Sequence, residues 1–322
     1  MTRAFVFPGQ GSQQVGMGQE LAGAFSTARL VFEEVDEALS MNLSRLMFEG
    51  PEDELTLTEN AQPALMATSI AVLRVLEVEG GFKLPAACHF VAGHSLGEYS
   101  ALAAAGAISL GEAARILRAR GAAMQRAVPV GVGAMAALLG LELDVALSVV
   151  EDAQKGEDST AGSDGGICAA ANDNAPGQVV ISGDKSAVER AVSLASERGA
   201  KRAIMLDVSA PFHCPLMQPA ADEMAELLAA VSIIPPVVPV ISNVSARAES
   251  DPETVRQLLV EQITKMVRWR ECVEFLRGQG VETLVELGSG KVLTGLARRI
   301  DRDLTGIAVN APADVEAVLK TF

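Results

Sequence analysis

Phe90-Val91-Ala92-Gly93-His94-Ser95-Leu96-Gly97-Glu98-Tyr99-Ser100-Ala101 is the stretch on which the fold turns. A short apolar run leads into a serine bracketed by glycines two positions to either side, and a run of small residues follows. That is G-x-S-x-G spacing between a strand and a helix, the sequence form of a nucleophile elbow. The flanking glycines permit a sharp turn and place the Ser95 hydroxyl at the helix N-terminus. Unpaired backbone N–H groups and the helix dipole there favour a developing oxyanion. A serine-capped turn of small residues would share this spacing. The strand before and the helix after it favour the elbow.

Outward from the elbow, strand-like and helix-like segments alternate. Ala4–Phe7 reads as a strand ending in the glycine-rich loop Pro8-Gly9-Gln10-Gly11-Ser12-Gln13. Thr27–Leu39 carries Ala28, Val31, Phe32, Val35 and Leu39 on one helical face. Pro63 is expected to open a further helix, and Ser109 with Glu112 forms a capping box for the next. Repeated strand-then-helix order implies a parallel sheet covered on both faces. The middle of the chain differs: strands at Gly133–Leu139, Ile167–Ala171, Gln178–Ser182 and Arg202–Leu206 enclose helices at Asp144–Asp152 and Ser186–Arg198. The order β-α-β-β-α-β is that of a ferredoxin-like unit. The expected architecture is therefore α/β: a parallel-sheet, α/β-hydrolase-like large domain (1–127 and 206–322) with an inserted ferredoxin-like small domain (128–205). Glu151–Gly166, rich in Gly, Ser and Asp, reads as a surface loop.

After the insert, Pro215–Ala230, Val255–Thr264, Arg270–Arg277 and Leu293–Ile300 read as helices, with strands at Val237–Ile241, Thr283–Leu287 and Gly306–Val309. Composition narrows the function classes. The 322 residues are 49% apolar and 21% charged, enough for a sizeable core, and the net charge is −15. So acidic a balance argues against binding nucleic acid or anionic lipid, which needs a basic face. No export signal is read in Met1–Gly9, and Gly and Pro interrupt the longer apolar runs. Cys88, Cys168, Cys214 and Cys272 lie far apart with no CxxC pair, which fits reduced thiols in a cytoplasmic protein. The three histidines lie near no cysteine pair at metal-ligand spacing.

A serine nucleophile needs a base, and the candidates are few. His94 adjoins Ser95 on the tight turn, so its ring is expected to point away; His89 begins the preceding strand, at the end remote from the elbow. Elimination leaves His213, in Ser209-Ala210-Pro211-Phe212-His213-Cys214-Pro215. A neutral imidazole is suited to taking a serine proton.

Phe7-Pro8-Gly9-Gln10-Gly11-Ser12-Gln13, Gly93-His94-Ser95-Leu96-Gly97-Glu98 and Ala210-Pro211-Phe212-His213, in this order, resemble the malonyl-CoA:acyl carrier protein transacylase family. Its relatives include the acyltransferase domains of fatty acid and polyketide synthases, and the likeness runs to at least Leu296. The resemblance implies that Ser95 carries the acyl group, His213 is the general base, and the Gln10 and Leu96 amides form the oxyanion hole. It implies that Arg120 grips the free carboxylate of malonate, a role that suits the planar guanidinium fork. Gln262 resembles the residue whose backbone carbonyl orients the histidine. Gln62 and Asn172 fall in pocket-lining segments, and Phe212 resembles the variant associated with unbranched malonyl units.

The implied activity is ping-pong malonyl transfer from malonyl-CoA to acyl carrier protein, for fatty acid synthesis, by a monomer using no metal or bound cofactor. The open alternatives are a serine esterase or thioesterase, an acyltransferase of polyketide synthesis, and a non-catalytic module that binds carrier protein. Two anionic partners meeting an acidic protein call for a local basic patch. Lys291, Arg298 and Arg299 are the candidates, with Arg126 less favoured. Glu151–Gly166 departs from the family pattern by its length.

Overall fold

A computed structural model describes residues 2–155 and 165–322. Among the described residues ten strands run in chain order: β1 (Arg3–Phe7), β2 (Phe90–Gly93), β3 (Gly133–Leu139), β4 (Cys168–Ala175), β5 (Gln178–Asp184), β6 (Arg202–Met205), β7 (Val240–Ile241), β8 (Ala248–Glu249), β9 (Thr283–Leu287) and β10 (Thr305–Val309). Six form one sheet in the order β10-β9-β1-β2-β7-β8, parallel except for β8, which closes the edge antiparallel to β7. The central strands are mostly apolar because helices cover both faces: Phe5 and Phe7 join the core on one side, Ala4 and Val6 that on the other.

The remaining four strands form an antiparallel sheet in the order β4-β5-β3-β6, the ferredoxin-like arrangement. Period-two alternation divides its faces. Ala134, Ala136 and Leu138 of β3 pack with helices Leu143–Ala153 and Lys185–Glu197, whereas Met135 turns toward the large sheet's core. The small unit thus lends its inner face to the molecule's centre. Of the polar run Glu151–Gly166, residues 156–164 lie outside the described residues.

Several local expectations shift. Pro63 does not open its helix: the helix runs Thr58–Gly80, and Pro63 is its sixth residue. So near the N-terminus the missing N–H costs one helical bond at most, and packing against the sheet sustains the rest. That helix is long and apolar enough to cross a membrane by length and composition, yet 89% of its apolar window is buried inside the protein. The Val237–Ile241 strand shrinks to Val240–Ile241, since Pro239 cannot donate to a ladder. The helix expected over Pro215–Ala230 starts as a 3₁₀ turn, Pro215–Met217, before Gln218–Ala229. Short helices at Gln19–Ala24, Leu43–Glu49, Glu52–Thr56 and Leu84–Ala87, and strand β8, have no counterpart in the elements expected from sequence. Ser109 does cap helix Leu110–Ala127, its hydroxyl accepting from the Glu112 N–H at 3.2 Å.

Candidate active site

The elbow forms where β2 ends and helix Leu96–Ala104 begins. Ser95 sits at φ 52° and ψ −109°, a strained backbone for a residue with a side chain. Close approach explains its glycine neighbours. A Cβ on Gly93 would lie 1.9 Å from the Gly97 carbonyl, and one on Gly97 would lie 2.3 Å from the Phe7 carbonyl. Asn243, just beyond β7, staples the turn: its Oδ1 accepts from the Ser95 amide at 2.7 Å and its Nδ2 donates to the Gly93 carbonyl at 2.8 Å.

His213 arrives from the segment joining the small sheet to the Pro215 turn. Its Nε2 stands 2.8 Å from Ser95 Oγ, and its Nδ1 stands 2.8 Å from the Gln262 backbone oxygen. A carbonyl can only accept, so Nδ1 carries the proton and Nε2 offers its lone pair to the serine hydroxyl. Burial, reinforced by the Arg120 charge, holds the His213 pKa down to about 3, which keeps the ring neutral.

Arg120 projects from helix Leu110–Ala127 and is 1% exposed. Its Nη1 donates to Gln62 Oε1 at 2.8 Å, and its Nη2 donates to Gln262 Oε1 at 2.9 Å and to Ser95 Oγ at 3.1 Å. The guanidinium also lies over the Tyr99 ring. Among the described residues no carboxylate forms a salt bridge with it. A buried cation hydrogen-bonded only to neutral amides and a hydroxyl, with its Nε left without a partner and the nearby Glu98 carboxyl acting on it only through its charge, is poised for an anionic ligand.

A pocket of about 370 Å³ opens over this group between the two sheets. Gln10, Gln62, Ser95, Arg120, Asn172, Phe212 and His213 line it, with Met135 and Val180 from the small sheet. The Gln10 and Leu96 amides find no acceptor among the described residues, leaving both available to an oxyanion. Seven of the site residues read from the sequence line this pocket; Gln262 joins them through Arg120 and His213, and the Leu96 amide follows Ser95 in the turn. Lys291, Arg298 and Arg299, the candidate basic patch, are exposed and lie outside the pocket lining. Arg299 donates to Gln178 at 2.7 Å, and Arg126 is paired with Glu223 at 2.7 Å.

Other members were not assigned from sequence. His94 does turn away from Ser95, to Asn174 Oδ1 at 2.8 Å and the Trp269 ring. Asn243 is reached only because β7 adjoins β2, though a polar residue just past the carboxyl end of a parallel strand is a signal in itself. Glu98 stands inside the quoted elbow motif. A carboxylate in an otherwise small, apolar helix was the available cue.

Comparisons with known proteins identify the family. The family model described as acyl transferase domain matches residues 4–315. The chain is 48% identical over 319 residues to the malonyl CoA-acyl carrier protein transacylase of Bacillus subtilis, covering 99% of this chain and 96% of that one. The crystal structure of acyl-carrier-protein-S-malonyltransferase from Bartonella henselae superposes with a TM-score of 0.95 at 55% identity, covering 100% of this chain and 99% of that one. A further similar structure, at TM-score 0.94 and 44% identity, covers 100% of both chains and holds a malonyl-transacylase with its type II PKS acyl-carrier protein.

Proposed function

The chain belongs to the acyl transferase domain family, and on that premise we propose that it transfers malonyl from malonyl-CoA to the phosphopantetheine thiol of acyl carrier protein, supplying fatty acid synthesis. The observation that carries the reading is Arg120: a buried guanidinium with no carboxylate partner among the described residues, 3.1 Å from the hydroxyl that would take the acyl group. A malonyl thioester brings the missing carboxylate to within one short chain of its reacting carbonyl.

The proton inventory follows from the tautomer. Ser95 Oγ attacks the thioester carbon while its proton passes to His213 Nε2, and the Gln10 and Leu96 amides hold the oxyanion. Collapse breaks the C–S bond, and the imidazolium returns the proton to the departing CoA sulfur. The malonyl ester on Ser95 keeps its carboxylate against Arg120. The carrier thiol then gives its proton to His213 and attacks the ester; collapse breaks the bond to Ser95 Oγ, the imidazolium returns the proton to that oxygen, and malonyl-carrier protein is released. The Gln262 carbonyl steadies the imidazolium in both halves, the task an acidic third member performs elsewhere.

No step calls for a metal or resident cofactor, and one chain supplies every group used, so we assign the monomer as the working form. Four buried free thiols fit a reducing, cytoplasmic setting. Intact mass spectrometry after mixing with malonyl-CoA tests the reading. A malonyl adduct that Ser95→Ala abolishes and that discharges onto carrier protein is expected; hydrolysis without transfer would instead make the protein a thioesterase.

A further inference from the structure

Glu98 lies three residues after the nucleophile, inside helix Leu96–Ala104, and is 3% exposed. One of its oxygens, Oε2, accepts two hydrogen bonds: from the Asn243 backbone N–H at 2.9 Å and from Gln262 Nε2 at 2.8 Å. Both partners touch the reacting pair. Asn243 holds the Ser95 amide, and the Gln262 carbonyl holds the His213 ring. Gln262 is further constrained because its Oε1 faces Arg120, so opposite demands at the two ends fix which way its amide points.

We propose that Glu98 is a positioning residue for acyl transfer, its Oε2 acting as a double acceptor that locks Gln262 beneath the His213 imidazole and Asn243 against the Ser95 turn. This rests on the Ser95–His213 reading above. The role is one of reach rather than charge. Burial pushes the Glu98 carboxyl up to about 7 even though Asn243, Gln262 and Arg120 pull it down. Ionised and neutral forms therefore coexist near neutrality, and the same oxygen accepts in both. A neutral side chain of equal length keeps the acceptor; a charged side chain one methylene shorter withdraws it.

Glu98→Gln and Glu98→Asp separate these cases, with wild type run alongside by quenched-flow measurement of malonyl-serine formation. Glu98→Asp is expected to slow acylation by about 30-fold or more with the KM for malonyl-CoA within about twofold, the signature of a misplaced base rather than lost binding. Glu98→Gln should recover the rate to within about fivefold of wild type, and the His213 Nδ1–H proton resonance should persist in it while fading by exchange in Glu98→Asp. The reverse order, equal rates in the two variants, or loss of folding in both would overturn the proposal and assign Glu98 to charge balance or stability. Wild type that forms no malonyl-serine would overturn the acyl-transfer reading itself.

Discussion

Arg120 Nη2 donates to Ser95 Oγ at 3.1 Å while that oxygen stands 2.8 Å from His213 Nε2. The nucleophile therefore sits between a fixed cation and its base. In the proposed reaction the cation would stabilise negative charge on the serine oxygen, the base would remove its proton, and the same guanidinium would take the substrate carboxylate. Nucleophile and substrate selection are one structural unit here.

Arg120→Ala removes the carboxylate anchor while leaving the Ser95–His213 contact. Two charge-assisted hydrogen bonds at about 1.5–3 kcal/mol each set the scale, so the preference for malonyl-CoA over acetyl-CoA should fall by about 100-fold or more. Competition between the two thioesters, read by adduct mass, checks it. Arg120→Lys should recover little, since a compact ammonium cannot form the fork.

His213 gives the protein a defined acid lability. Its folded pKa of about 3 lies below the ordinary 6.5, so between these values the unfolded chain binds the extra proton. Stability is then complete above about pH 6.5 and declines as pH falls toward 3. Glu98 opposes this: raised from 4.5 to about 7, it adds stability as pH falls through that window. His213→Gln removes only the first effect. From about pH 6.5 to about pH 4, the variant should gain on the order of 3 kcal/mol relative to wild type, measured by urea unfolding.

Phe212 is buried beside the base and lines the pocket. A ring at this position would crowd an α-methyl group on a bound acyl chain, and steric selection of this kind is worth about 1–3 kcal/mol. Phe212→Ser should raise methylmalonyl-CoA use relative to malonyl-CoA by about 10-fold or more, measured as the ratio of kcat/KM values.

Arg298 and Arg299 end helix Val292–Ile300 on the surface, outside the pocket. As a docking patch for an acidic carrier protein they should act through KM and through salt. Reversing both charges is expected to raise the KM for carrier protein by about 10-fold at low salt, with malonyl-serine formation unaffected. An unchanged KM at low salt rejects the patch.

The parallel-sheet frame, the ferredoxin-like order of the insert and the elbow at Ser95 are all legible before folding, because strand and helix periodicity and a glycine-bracketed turn are local properties. His213 was legible for a different reason: with three histidines, two of them badly placed, elimination favoured it and the family resemblance supplied its role. The start of helix Thr58–Gly80 was not legible, since Leu57 provides no side-chain cap and tertiary burial outweighs Pro63.

The web joining residues far apart in the chain belongs to the folded molecule alone. Asn243 meets Ser95 across 148 positions and Gln262 meets Glu98 across 164, contacts made by neighbouring strands and by the segment after helix Pro252–Glu261. No periodicity encodes such pairings. They exist because packing the sheet excludes water, and each buried donor and acceptor must then find its partner in whatever part of the chain the fold has brought beside it.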